Sequence, residues 1–201
     1  MKKIVVFGLG AAGSNIVLNI IRDIPELEII GIDFDKVEPR NYTVGTQPYL
    51  KQHVNKLKTQ ALQMIVLQQA NNLSIITVNK KIENLGDVEY IIKNYANNSS
   101  LIIDCFDSPE SKNLLYNYGK LKQTDVLHIG FSHALTGEAA WNEVWTEMLK
   151  GNTNIDICTQ QGARSFIMSL TSLASLVIVD YVRNGIKTNI FFDKRLSIKK
   201  F

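Results

Sequence analysis

The chain has 201 residues, 45% of them apolar and 20% charged, with a net charge of +3. That length suits one domain able to bury a core without a staple, and so mild a charge does not argue for nucleic acid. Two cysteines, Cys105 and Cys158, make neither a disulfide framework nor a four-ligand zinc site, and a reducing cytoplasm fits them.

The first predicted element is the strand KIVVFG, β-rich and closed by a glycine. With the preceding MK it imitates a signal peptide, two lysines and then an apolar run. It is read instead as a buried strand, because it leads directly into G-x-G-x-x-G, formed by Gly8, Gly10 and Gly13. A helix is expected from Ala11 to Asp23. Strand, glycines and helix in that order suit a phosphate: the first glycine permits the turn, the second admits the ligand, the third packs helix on strand. The helix N-terminus then offers unpaired N–H groups to an anion. These glycines do not distinguish NAD, FAD, S-adenosylmethionine and ATP.

LEIIGIDFD is the second strand, and Asp33 lies twenty residues after Gly13, where an acid suits a ribose diol. KVEPRNYTVGTQPYLKQHVN reads as a long irregular connection, and connections of that length are usually functional. Next come a helix in KLKTQALQMIVLQQANN, a strand in LSIITVNKKI, a helix in LGDVEYIIKNYAN and a strand in SLIIDCFD. The helix SPESKNLLYNYGKLKQ starts with Ser108 as N-cap and Pro109 at its first position. DVLHIGFSH is a further strand. AAWNEVWTEML carries two tryptophans, Trp141 and Trp145, at helical spacing.

ARSFIMSLTSLASLVIVDYVRNG is a helix ending at Gly185. Its uncharged run, residues 166–179, is shorter than the ~20 residues of a membrane span, so a buried helix is expected and no membrane partner. TNIFFDKRLSIKKF closes the chain as antiparallel strands around a turn at Asp193–Lys194. Repeated β-α-β units imply an α/β fold: a Rossmann-like, mostly parallel sheet with antiparallel C-terminal strands and helices on both faces. No linker or repeat divides residues 1–201.

GIDFDKVEPRN, HVNKLKTQAL, LIIDCFDSPESKNLL and CTQQGARSFIMSLTSLASLVIVDYVRNG together resemble the ThiF/MoeB/HesA adenylyltransferases, relatives of the ubiquitin-activating enzymes. The match runs over nearly the whole chain. Asp33–Phe34–Asp35 falls on the family D-x-D, with Val37, Glu38 and Asn41 in register. Lys58 falls on the family lysine, and Asp104 and Asp107 on its D-x-x-D. The resemblance implies a single ThiF-like domain using ATP and magnesium to adenylate the C-terminal carboxylate of a small ubiquitin-like or sulfur-carrier protein, as a homodimer or heterodimer. By the same resemblance Gly8, Gly10, Gly13 and Asp33 hold the nucleoside phosphate, Asn41 a phosphate oxygen, Lys58 the phosphates and Asp107 the metal. A NAD-dependent oxidoreductase and a non-catalytic binding subunit are the alternatives.

Three positions depart from the family pattern. Val44 stands where an arginine follows the asparagine, Lys112 stands at a second arginine position, and Asn55 replaces the glycine before the lysine. The two C-x-x-C zinc pairs are missing. Arg40, Lys112 and Arg164 are candidate replacement cations. Cys105 is expected in the core, Cys158 lacks the surroundings of an activated thiol, and His53, His128 and His133 show no ligand or triad spacing.

Overall fold

The computed structural model describes residues 3–69, 75–96, 100–143, 160–195 and 197–200. The elements begin with β1 (Lys3–Phe7), α1 (Ala11–Asp23), β2 (Glu28–Asp33), α2 (Pro39–Thr43), a 3-10 turn (Lys51–His53) and α3 (Lys58–Gln69). They continue with β3 (Ile76–Asn79), α4 (Leu85–Tyr95), β4 (Leu101–Asp104), α5 (Pro109–Lys122), β5 (Val126–Phe131) and β6 (Thr136–Trp141). Helix α6 (Ala163–Asn184), β7 (Ile190–Asp193) and β8 (Ile198–Lys200) complete the described chain.

The strands form one sheet in the order β3-β2-β1-β4-β5-β6-β7-β8. The first five are parallel and the last three antiparallel, as the sequence led one to expect. Strand order reverses between β1 and β4, which opens a crevice at the carboxyl ends of those two strands.

Helices cover both faces, so β1 is apolar without alternation, and Ile4 through Phe7 are fully buried. Ile4 and Val6 pack with Ile16, Val17 and Ile20 of α1, Leu62 of α3 and Ile178 of α6. Val5 and Phe7 point the other way, into Val88 and Ile91 of α4 and Leu115 of α5. A smaller cluster joins Phe166 and Leu170 of α6 to Phe192 of β7.

Three sequence expectations change. Strand β6 pairs antiparallel with β5, and its sequence TGEAAW carries little strand propensity. The reason is contact with α6: a Cβ on Gly137 would come within 2.5 Å of Leu170, so the strand must be small there. Trp141 therefore lies on a strand rather than a helix, with its ring 4.5 Å from that of Tyr181; Trp145 lies outside the described residues.

The connection read as irregular holds α2 and the 3-10 turn, and it folds back on itself. Val37 N–H donates to the Lys56 carbonyl at 2.8 Å, Asn55 N–H to the Val37 carbonyl at 2.9 Å, and Lys58 N–H to the Asp35 carbonyl at 2.8 Å. Asn55 has φ 69°, left-handed backbone that glycine adopts freely and asparagine tolerates better than most residues. The departure from the family glycine thus preserves the turn.

Helix α6 is longer than its uncharged run. By length and composition its 22 residues could cross a membrane, but one side packs on α1 and β6. It ends at Gly185, φ 73°, as expected. The final turn is also as expected, with Asp193 Oδ1 accepting from the N–H groups of Arg195 and Ser197 at 2.8 and 3.1 Å.

Candidate functional site

A cleft of about 640 Å³ lies over the carboxyl ends of β1 to β5. Its floor is the glycine loop. Gly8 has φ 87°, and a Cβ on it would come within 2.8 Å of the Cys105 carbonyl oxygen. A Cβ on Gly13 would collide with the Gly8 carbonyl, so this glycine seats α1 against β1. Gly10 differs from both. It lines the cleft, its φ is −76°, and a Cβ there would meet nothing within 4 Å. Among the described residues no atom requires glycine at that position, and the space it leaves opens into the cleft. Helix α1 begins here with no side-chain cap and no acid in its first turn, so its N–H groups and the positive end of its dipole face the cleft.

Asp33 anchors the loop from β2. Its Oδ2 accepts from Leu9 N–H at 2.7 Å and its Oδ1 from Asp35 N–H at 2.8 Å. The Tyr49 hydroxyl donates to the Leu9 carbonyl at 2.7 Å. Each Asp33 oxygen retains acceptor capacity. Burial pushes the Asp33 pKa up, and the nearby Lys58 charge pulls it partly back. Lys58 starts α3 and bonds Asp35 Oδ2 at 2.8 Å. The fold-back of the connection places it beside the acid pair. Asn41 is buried, and its Oδ1 accepts from Glu38 N–H at 2.7 Å; since it also lines the cleft, its amide N–H₂ is the end available to a ligand.

The opposite wall comes from β4 and α5. Asp104 and Asp107 separate cleanly. Asp104 is fully buried and turned inward, to Lys112 and His128. Asp107 is exposed on the cleft wall, with no ion-pair partner among the described residues. Ser108 Oγ caps α5 by accepting from Ser111 N–H at 3.1 Å.

Arg40, Lys58, Lys80, Lys81 and Lys112 all line the cleft. Each has a carboxylate partner: Glu38, Asp35, Asp87, Glu83 and Asp104, respectively. Lys80 and Lys81 were not singled out from sequence, although their place just after a parallel strand was a usable signal. Lys81 Nζ sits 5.8 Å from the centre of the Phe34 ring, itself half exposed in the cleft. Of the three candidate replacement cations, Arg40 and Lys112 reach the cleft. Arg164 does not: its Nε donates to the Gly45 carbonyl at 2.9 Å.

Cys105 lines the cleft while packing against the core, so it is only partly the core residue expected. Burial pushes its thiol far above the ordinary range, which keeps it protonated. Cys158 lies outside the described residues. His53 is buried in the connection, where its Nδ1 accepts from Leu50 N–H at 3.1 Å and burial lowers its pKa. His133 is exposed at the cleft rim.

A model of the ThiF family matches residues 1–168. Among solved structures, E. coli MccB with ATP is similar over the whole chain, with TM-score 0.79 and 14% identity. E. coli MccB with AMPCPP and MccA gives TM-score 0.77 and 16% identity, and PaaA gives 0.74 and 17%, again over 100% of this chain. The chain spans 62%, 63% and 64% of those three proteins. At such identities the likeness shows the fold. No curated protein matches the sequence.

Proposed function

The chain belongs to the ThiF family, and from that membership and the cleft geometry we propose that it is an ATP-dependent adenylyltransferase. It would activate the C-terminal carboxylate of a small ubiquitin-like or sulfur-carrier protein, or of a peptide. MccB, of the same fold, has been captured with AMPCPP and MccA together. The observation that carries the reading is convergence: the open space at Gly10, the Asp33 carboxylate, Lys58 and the exposed Asp107 all face one cleft.

In this reading the acceptor carboxylate attacks the α-phosphorus of ATP. A carboxyl–phosphorus bond forms as the bond to the pyrophosphate oxygen breaks, and pyrophosphate leaves with the electron pair. Gly10 and the first N–H groups of α1 would hold the α-phosphate as charge builds on it. Asp33 would accept from the ribose hydroxyls. Lys58, the Asn41 amide and Arg40 would meet the phosphates, each cation exchanging a carboxylate partner for phosphate oxygen.

No cluster of three potential metal ligands occurs among the described residues. That suits magnesium, which commonly takes one or two carboxylates plus phosphate oxygens and water. Asp107 would hold it, and the ion would supply neutralisation of the departing pyrophosphate. In calorimetry, magnesium should tighten ATP binding to the wild type about tenfold, a charge-assisted contact's worth. Asp107→Ala should remove that gain while leaving the circular dichroism unchanged, because the side chain is exposed and has no ion-pair partner among the described residues. An undiminished magnesium effect in the variant would refute the assignment.

Val44 lines the cleft at the family's arginine position, which favours a second reading, a nucleotide-binding subunit without turnover. ATP binding with no pyrophosphate exchange for any carboxylate acceptor would select it. We also propose pairing with a second copy or a related chain, within the cytoplasm. Leu176 is 62% exposed on α6, and Leu173 and Val179 on that helix are only partly covered. Light scattering at about 50 µM, far above typical micromolar dissociation, should give a dimer mass; a clean monomer would refute the homodimer.

A further inference from the structure

Asp104 ends β4 with no exposure, and two side chains hold its carboxylate. Its Oδ2 contacts His128 Nδ1 at 2.7 Å and accepts from Lys112 Nζ at 3.3 Å, while Oδ1 accepts from Phe106 N–H at 3.0 Å. A carboxylate only accepts, so the His128 proton that makes this bond is on Nδ1. Lys112 Nζ also donates to the Ile129 carbonyl at 2.7 Å. Two of its three donors are thereby used inside the protein; the third remains, and Lys112 lines the cleft.

His128 itself does not line the cleft. It is 2% exposed and borders a separate cavity of about 310 Å³, with Tyr116, Asp125 and Asn142. Its Nε2 is buried with no hydrogen-bond partner among the described residues. A histidine retained only to fill space would be better replaced by leucine, which leaves no orphaned acceptor. What leucine lacks is the Nδ1–H bond, the shorter of the two side-chain bonds on Asp104.

We infer that His128 is a positioning residue: through Asp104 it holds the Lys112 ammonium at the cleft wall, so anion binding in the cleft depends on a side chain that faces the neighbouring cavity. This rests on the nucleotide-site reading above. The test compares wild type with His128→Leu, His128→Asn, Lys112→Met and the His128→Leu/Lys112→Met pair. The asparagine amide can place an N–H near Nδ1; leucine cannot.

By calorimetry, ATP affinity should fall about tenfold in His128→Leu, as for one charge-assisted hydrogen bond, and stay within about threefold in His128→Asn. The double variant should be no weaker than Lys112→Met alone, since both changes act on one contact. A second readout needs no nucleotide. Acetylation of Lys112 by acetic anhydride, read by mass spectrometry, should rise several-fold in His128→Leu and not in His128→Asn. If His128→Leu fails to fold, His128→Ala serves: added imidazole, entering through the second cavity, should restore Lys112 protection. Unchanged acetylation in folded His128→Leu, a His128→Ala variant insensitive to imidazole, or additive losses in the double variant would each overturn the proposal. A wild type that binds no ATP would overturn the nucleotide reading, while the acetylation result would still decide the role of His128.

Discussion

Gly10→Ala should leave the protein as stable as wild type and cost it at least about tenfold in ATP affinity, or 1.4 kcal/mol. Gly13→Ala, three residues on, should unfold it or lower its stability by at least about 3 kcal/mol. The two glycines belong to one motif but do opposite things. At Gly10 φ is −76°, and a Cβ would meet no atom of the described residues within 4 Å, so alanine meets no steric obstacle there. The methyl would instead occupy the space where a phosphate approaches the α1 N–H groups. At Gly13 the obstacle is the Gly8 carbonyl, which is backbone and cannot swing aside. Thermal unfolding and calorimetry on both variants check this. A Gly10→Ala variant that binds ATP like wild type would place the phosphate elsewhere in the cleft.

Lys58→Ala should weaken ATP binding about 10–100-fold, the range of a charge-assisted hydrogen bond, and AMP by only about threefold because AMP carries less charge. NAD should bind weakly and without regard to magnesium; tight NAD binding insensitive to Lys58→Ala would instead favour an oxidoreductase. The structure adds a pH signature. Asp33 accepts ribose hydroxyls most strongly as a carboxylate, because a charged acceptor makes the stronger hydrogen bond. Its pKa is raised by burial and partly restrained by Lys58. Affinity in the wild type should therefore fall, as pH falls, through a pKa above the ordinary 3.8. Without Lys58 the restraint is lost, the pKa rises further, and the fall should begin at a higher pH. Superimposable pH profiles for wild type and variant would show that the two groups are not coupled.

The glycine loop and Asp33 were legible as local pattern, Lys58 and Asp107 through the family resemblance, and all of them line one cleft. The glycines follow a strand, Asp33 and Asp107 sit at or just after strand ends, and Lys58 opens a helix. Alternation of strand and helix likewise determined the parallel half of the sheet, since β-α-β crossovers have a preferred hand. Strand β6 was hidden because its residues carry little strand propensity, and its glycine, Gly137, answers to Leu170 of α6 instead. Asn41 was marked for a phosphate, and only the fold shows that its carbonyl end is already committed to Glu38 N–H.

The charges show the same division. The sequence by itself, with the family resemblance, determined which residues were candidates for a nucleotide site. Only the tertiary structure decided how they are partnered. Arg164 was an equal candidate with Lys112 on paper, yet one is tied to the Gly45 carbonyl and the other sits at the cleft with Asp104. Asp104 and Asp107 stand three residues apart on one motif; sheet pairing with β5 sets His128 opposite Asp104 and turns that acid inward, while Asp107, beyond the strand's end, faces the cleft. Local pattern is written along the chain, but the energy of a charge depends on which groups from other strands and helices surround it, and that is set when the sheet assembles.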